Sequence, residues 1–342
     1  MKKVFLIALA LLMVASVTLL AGSGDRLGTA GAQELRIPVG SRGVSLGGSM
    51  VASASGVDAL FWNPAGAADL HGTEAMFSHL DYFADMNVEY VALCTNIEGI
   101  GTLGASVKVL SVGDILRTTW DDQQGISGET FNPTFSVVGL TFARRFTDRV
   151  SFGATAQFVN EKVEQVSAHG VAVDFGFTYT PYWRGLKFGV VVKNLGPQMK
   201  FEGSNFDVTV RPPDSDPNAT TKQLSTENNA FELPSSVQFG VAWNVLNNSA
   251  DLKNKFELSS TFQSNNFSQD EIKGGAEYSY NDMFFLRGGY VGSGQNDYMF
   301  GPSLGAGLKL RWSQTHISFD YTWQKTDFFT GDDQYFTVKL SF

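Results

Sequence analysis

Phe336-Thr-Val-Lys-Leu-Ser-Phe342 closes the chain, and its apolar and polar side chains alternate strictly. In an extended strand, successive side chains point to opposite faces, so Phe336, Val338, Leu340 and Phe342 share one face and Thr337, Lys339 and Ser341 the other. A soluble β-sandwich could end in such a strand. Joined to an export signal and to many similar strands upstream, a terminal aromatic indicates the last strand of an outer-membrane barrel. Those four apolar residues are then the expected C-terminal signal for the barrel-assembly machinery.

Bulk composition fits that reading. The chain has 342 residues, enough for two soluble domains or one large barrel. Charged residues make up only 17%, against about 25% in soluble domains, while the mean hydropathy is −0.06. No apolar run after residue 21 approaches the roughly 20 residues of a membrane helix. A chain that is neutral on average but alternates locally is what a transmembrane barrel requires. The net charge of −9, with no basic cluster, argues against nucleic acid as a partner.

The first residues read as an address. Lys2-Lys3 precede an apolar stretch from Val4 to Ala21, followed by small residues, the layout of a secretory signal peptide. Cleavage could follow Ser23 or Ala32, and the leader is assigned to residues 1–32. A retained membrane anchor is the alternative. The single cysteine, Cys94, allows no internal disulfide and reads as a small packed hydrophobe.

From Thr73 onward the chain falls into alternating runs separated by turn residues: 73–83, 88–97, 101–112, 133–145, 150–163, 168–180, 186–196, 234–246, 253–264, 270–280, 283–292, 303–312, 315–325 and 334–342. Fourteen is even, as expected of a bacterial barrel whose two ends meet on one side. Links after even-numbered strands are short, as at Thr147-Asp-Arg149, Asn281-Asp282 and Ser313-Gln314. Those at 113–132, 197–233 and 292–302, after odd-numbered strands, are long, which suits short periplasmic turns and longer outer loops. The link at 84–87 is short where this rule expects a loop.

Side chains agree with the link lengths. Leu304, Ala306, Leu308, Leu310, Ile317, Phe319 and Tyr321 are expected to face lipid. Lys309, Arg311, His316, Ser318 and Asp320 alternate with them and are expected in the lumen, where Asp320 could pair with Lys309 or Arg311. Tyr179, Trp243, Tyr280, Trp312 and Phe342 fall near the periplasmic ends and read as an aromatic girdle.

Residues 33–72 carry no strand period and are rich in Gly, Ala and Ser. A fourteen-strand barrel is too wide to be filled by its own side chains, so its lumen holds water or a plug. Asn63-Pro64 favours a turn over a continuing helix or strand. The residues Gly40-Ser-Arg-Gly43 and Leu46-Gly-Gly-Ser49, followed by Ala59-Leu-Phe-Trp-Asn-Pro-Ala-Gly66, resemble the N-terminus of the PorV/PorQ family, within the FadL-like group of outer-membrane barrels. The match is close over residues 35–70 and architectural beyond. It departs at Ser41-Arg42-Gly43, where the family usually has Ala-Arg-Ala, and at Ser55-Gly56, which replaces an acidic pair. The resemblance implies an all-β, 14-stranded antiparallel barrel over 73–342 with an N-terminal hatch over 33–72. It also implies a hatch motif of Arg42, Gly47, Gly48, Trp62, Asn63, Pro64 and Ala65.

Catalytic chemistry is not expected. His71, His79, His169 and His316 have no metal-ligand spacing. His316 and Ser318 share a strand face, but no orienting group or oxyanion donor accompanies them. Steps such as Gly305-Ala-Gly307 lack the following helix of a phosphate loop. No cofactor or metal is expected, and the protein is not expected to be an enzyme. The polar, proline-broken stretch Arg211–Thr221 reads as a flexible crown.

Two functions follow from the resemblance, and the first is the expected one, because the hatch resembles PorV/PorQ more than the transporters and the long loops are mostly polar. PorV-like proteins act in type IX secretion, which implies secretion components and exported cargo proteins as partners, with outer-membrane lipid around the barrel. FadL-like barrels pass a hydrophobic ligand and release it by a hatch shift or a lateral opening. For the second role, Trp120, Phe131, Phe206 and Phe231 are the loop aromatics that could meet a ligand.

Overall fold

The computed structural model describes residues 28–119, 121–183, 185–210, 221–226, 228–246, 253–294, 298–329 and 331–342. Residues 1–27 of the expected leader, Trp120 and most of the expected 211–221 crown lie outside the described residues.

Fourteen antiparallel strands form the wall: β1 Thr73–Asp81, β2 Asn87–Ile97, β3 Gly101–Ser111, β4 Thr134–Thr147, β5 Val150–Val163, β6 Val166–Tyr179 and β7 Leu186–Leu195. They continue as β8 Ser236–Asn244, β9 Asn254–Asn265, β10 Glu271–Tyr280, β11 Phe284–Ser293, β12 Phe300–Trp312, β13 Thr315–Thr326 and β14 Asp333–Ser341. Each pairs with its neighbours in sequence, and β1 pairs with β14 from Glu74↔Ser341 to Asp81↔Gln334. That seam closes the barrel, so no edge is left with unpaired backbone groups to face lipid.

The expected strand count holds, with small corrections at the ends. The first strand stops at Asp81 rather than 83, because the chain turns through Ala84 and Asp85, both at positive φ. The sixth begins at Val166 rather than 168, after a tight hairpin with Glu164 at φ 53°. β12 begins at Phe300 rather than 303. Its ladder slips between Phe300 and Ser303, around Pro302, which has no N–H to donate.

The link pattern also holds in space. Tight turns near residues 98–100, 148–149, 281–283 and 313–314 share one end with Thr73 and Phe342, while the connections 112–133 and 196–235 lie at the other. In an outer-membrane barrel the first end faces the periplasm. The 164–165 hairpin joins 82–86 as a short link on the outer side.

Alternation decides what each strand shows. Phe77, Leu140, Phe158, Phe239, Leu304 and Phe319 are each 48–58% open on the outer surface, as only a lipid-facing wall tolerates. Tyr179, Trp243, Tyr280, Trp312 and Phe342 are exposed where their strands reach the short-turn end. Inward positions are polar and buried, among them Thr141, Thr155, Asp174, Thr322 and Thr337. This is an outer-membrane barrel turned the usual way, apolar outside and polar within.

The apolar core sits inside the cylinder. Val44, Met50, Val57, Leu60 and Trp62 of the N-terminal segment pack against Met76, Val88, Tyr90, Cys94 and Tyr335 of the wall.

Candidate functional site

The N-terminal segment enters the lumen near the outer end, where the Gly28 N–H donates to the Phe267 carbonyl at 3.2 Å and Ala30 bridges Glu232. It then descends as short turns: a 3-10 turn at Gln33–Leu35, helix α1 at Ser41–Ser45, helix α2 at Ala59–Trp62, and a 3-10 stretch at Pro64–Asp69 that leads into β1. Short helical pieces satisfy much of their own backbone, which a plug without sheet partners needs.

The residues of the expected hatch motif all lie within this plug. Asn63 ends α2 in extended conformation. Its Oδ1 accepts the Ala65 N–H at 3.2 Å, and its Nδ2 donates to the Val51 carbonyl at 2.7 Å and to the Phe177 carbonyl of the wall at 3.3 Å. Pro64 opens the next turn at a position where its missing N–H has no intrahelical partner to lose. The Trp62 indole donates to the Val39 carbonyl at 3.2 Å, and its ring lies where a Cβ on Gly43 would sit. Gly47 and Gly48 turn the chain at φ 63° and 76°, which other residues rarely adopt.

The wall meets the plug through inward glycines. A Cβ on Gly153 or Gly176 would overlap Pro64 or Asn63, on Gly189 or Gly240 would overlap Val51, and on Gly275 would overlap Leu46. These strand glycines let the two backbones touch, a close approach that a side chain forbids.

Charge locks the same surface. Arg42 grips Glu277 of β10 with two hydrogen bonds, 3.0 and 3.1 Å. Arg287 of β11 bonds Glu277 at 2.6 Å and Asp320 of β13 at 2.6 Å. Lys339 of β14 bonds Asp58 of the plug at 2.9 Å and approaches Asp320 at 3.5 Å. Burial alone would make Arg42 easier to deprotonate, but Glu277 and Glu257 more than reverse this and raise its pKa. A plug residue therefore sits at each end of an alternating chain of charges. The expected partners of Asp320, Lys309 and Arg311, are not the ones it takes. Gly307 stands between, and the space its missing side chain leaves is filled by the Arg287 guanidinium and the Asp320 carboxylate.

Above the plug lies a cavity of about 710 Å³. Its walls mix aromatic rings (Phe61, Trp62, Phe83, Phe135, Phe201, Phe231, Phe267, Tyr298) with Glu34, Arg36, Glu161, Lys193, Glu271 and Lys273. Most of its charges are matched. Lys273 pairs with Glu271 at 3.1 Å, Arg36 reaches Glu271 at 4.0 Å, and Lys193 donates to the Phe61 carbonyl at 2.8 Å. Glu34 differs: it is 2% exposed, and the side-chain group its carboxyl meets is another carboxyl, that of Glu161. Burial, and then the neighbouring Glu161 carboxyl, push its pKa up to about 8.

Of the loop aromatics named from sequence, Phe231 lines this cavity, whereas Phe131 lies in a two-residue strand against Ile115 and Phe206 in a 3-10 turn of the outer loop. Phe61, Phe83, Phe201 and Phe267 were missed, because their loops and turns have no period to mark an inward face. His316 and Ser318 are half-buried on β13, with no hydrogen bond between them. Among the described residues no group of three His, Cys, Asp or Glu could hold a metal ion.

The model described as "Uncharacterised protein family (UPF0164)" matches residues 13–338. The chain belongs to UPF0164. No curated protein matches it. The fold of this UPF0164 barrel is shared with solved channels at low identity. The CymD monoaromatic hydrocarbon channel aligns at TM-score 0.55 and 15% identity, over 89% of this chain and 97% of its own. The Ralstonia pickettii toluene transporter TbuX gives 0.52 and 13% over 88% and 97%. A Pseudomonas aeruginosa FadL homologue gives 0.50 and 10% over 90% and 98%. At such identities the likeness is one of architecture, and the UPF0164 cavity has to be read from its own residues.

Proposed function

We propose that this protein is a passive outer-membrane channel for small apolar molecules. The observation that carries the reading is the aromatic-lined cavity of about 710 Å³, open toward the outer loops and floored by the hatch. A pocket of that size, apolar with a few placed polar groups, is a typical small-molecule site. The solved barrels of like fold include channels titled for toluene and other monoaromatic hydrocarbons, which supports the same substrate class.

Passage needs an exit. Straight descent is blocked by the hatch and its ion pairs. The wall between β6 and β7 is weaker: its ladder jumps from Val173↔Leu195 to Ala168↔Phe201, and Asn194 stands at φ 58° beside it. The apolar side chains of Met199 and Leu233 fill that interval, so a sideways release into the lipid costs fewer polar contacts than moving the hatch.

The secretion-associated role draws on the hatch motif alone and gives the cavity no part, so the channel reading is preferred. Its test is calorimetric titration of toluene into the purified protein in lipid nanodiscs. Saturable binding that is lost in Gln238→Trp, which fills the cavity, is expected. Binding that is non-saturable, or unchanged by the filled cavity, would reject the channel. Co-purification of secretion components with a protein that binds no toluene would favour the other role.

A further inference from the structure

Resting on the channel reading, we propose that Glu34 and Glu161 form a receptor for the ammonium head of an amphipathic amine whose apolar body lies against Phe201 and Phe231.

The two acids come from separate elements. Glu34 sits in the 3-10 turn of the hatch, and Glu161 is on β5; they are 2% and 5% exposed, and both border the cavity. They are close enough to interact, and Glu161 also meets the Ala32 backbone N–H. Both oxygens of Glu34 and Oε2 of Glu161 lack hydrogen-bond partners. Buried polar atoms are nearly always satisfied; a proton shared between the two acids serves them, and a donor arriving through the cavity can take its place.

The neighbouring cations are committed elsewhere. Lys108 donates to the Ile37 carbonyl at 3.1 Å, and Lys193 to the Phe61 carbonyl at 2.8 Å. Arg36 stacks on Phe267 at 4.2 Å and donates to Gln33. Two adjoining carboxyl groups are held together by a shared proton or by a cation that carries N–H bonds. An ammonium brings three donors and the opposite charge. A hard metal ion would require six or more oxygens, and an anionic head brings no N–H donor and adds negative charge beside an acid pair that shares a proton.

The apolar half of the site is adjacent. Ala32 and Leu35, which flank Glu34, belong to a buried cluster with Val159, Met199 and Leu233, against which Phe201 and Phe231 pack. The two rings stand 5.6 Å apart, and their faces suit both an apolar body and a nearby positive charge.

The test compares three ligands of similar shape, phenethylamine, phenethyl alcohol and phenylacetate, titrated calorimetrically into the full-length mature protein in nanodiscs. Phenethylamine is expected to bind about tenfold more tightly than the alcohol, with phenylacetate weakest, and Glu34→Gln is expected to abolish the amine's advantage. Should E34Q fail to give a heat-modifiable barrel, Glu161→Gln serves the same purpose. Equal binding of amine and alcohol, tighter binding of phenylacetate, or an advantage that survives in the Gln variants would overturn the ammonium site and leave the channel standing. Failure of all three ligands to bind would overturn both.

Discussion

The backbone nitrogen of Gly47 occupies the place where a Cβ on Gly289 would stand, so hatch and wall are in contact through two residues that have no side chain. Gly289 lies on β11 and its outward neighbours Gly288 and Tyr290 continue the strand. Seating the hatch therefore depends on a vacancy in the wall.

Gly289→Val should fill that vacancy and unseat the hatch. Overpacking typically costs about 1–3 kcal/mol, and here the obstacle is backbone, so the upper end is expected. The barrel ladder is untouched, so the folded band on unheated gels should persist while conductance in planar bilayers rises. Conductance equal to that of the native protein would show that the hatch tolerates the side chain.

Arg42→Met should loosen the same element by a different route. It leaves Glu277 with Arg287 alone and removes the plug's guanidinium from the network. Breaking a buried ion pair costs about 3–5 kcal/mol, because the remaining charge stays buried. Hydrogen exchange should accelerate over residues 41–48 and not in the strands. Because its acidic neighbours hold Arg42 charged, this effect should be constant across the neutral pH range.

Glu34 should make stability fall as pH rises. Its ordinary pKa of 4.5 is raised to about 8 in the fold, first by burial and then by Glu161. Between those values the folded chain holds a proton that the unfolded chain releases, so the stabilising contribution present below 4.5 is lost progressively up to about 8. Thermal midpoints in detergent should decline over that window and level off above it, and Glu34→Gln should flatten the decline. A native profile that rises with pH through the window would contradict the assignment.

Much of the wall was legible in the sequence, for a physical reason. A strand between lipid and a polar lumen must alternate, so Phe336 through Phe342 or Leu304 through Trp312 announce both faces without tertiary information. The site was not legible in this way. Gly153, Gly176 and Gly289 look like weak points in strands until the hatch is placed against them. Asp58, Glu277, Arg287, Asp320 and Lys339 join across almost the whole chain, and no local spacing can reveal their partners. Glu34 carries no local mark of burial in the sequence, because the groups around it come from distant strands, among them Lys108 of β3 and Glu161 of β5.

The beginning of the hatch bears on where the expected leader would be cut. Gly28 through Ala32 are engaged in the lumen: Gly31 donates to the Glu232 carbonyl at 3.1 Å, and Ala32 is 1% exposed. Cutting after Ala32 would discard these contacts and leave a void beside Phe231, whose ring packs on Gly31. Cleavage after Ser23 keeps them. Intact-mass measurement of the protein purified from outer membranes should therefore give a mature chain starting at Gly24, and a start at Gln33 would show that the lumen contacts are dispensable.

Phe342 offers a way to separate a signal from a structural contact. Its backbone closes the seam: its N–H donates to the Thr73 carbonyl at 2.9 Å, and its carbonyl accepts from Thr73 at 3.3 Å. Its ring is 62% exposed and faces outward at the periplasmic rim, on the same strand face as Phe336. Phe342→Ala keeps both hydrogen bonds and removes only the ring. If the ring serves recognition by the assembly machinery, the amount of barrel in the outer membrane should drop several-fold. The same variant refolded in detergent should differ in stability by no more than about 0.5 kcal/mol, as for most surface substitutions. Deleting Phe342 removes the seam bonds too and should lower both quantities. Normal assembly of Phe342→Ala in cells, with a clear loss of stability in detergent, would make the ring a packing element of the seam and not a signal.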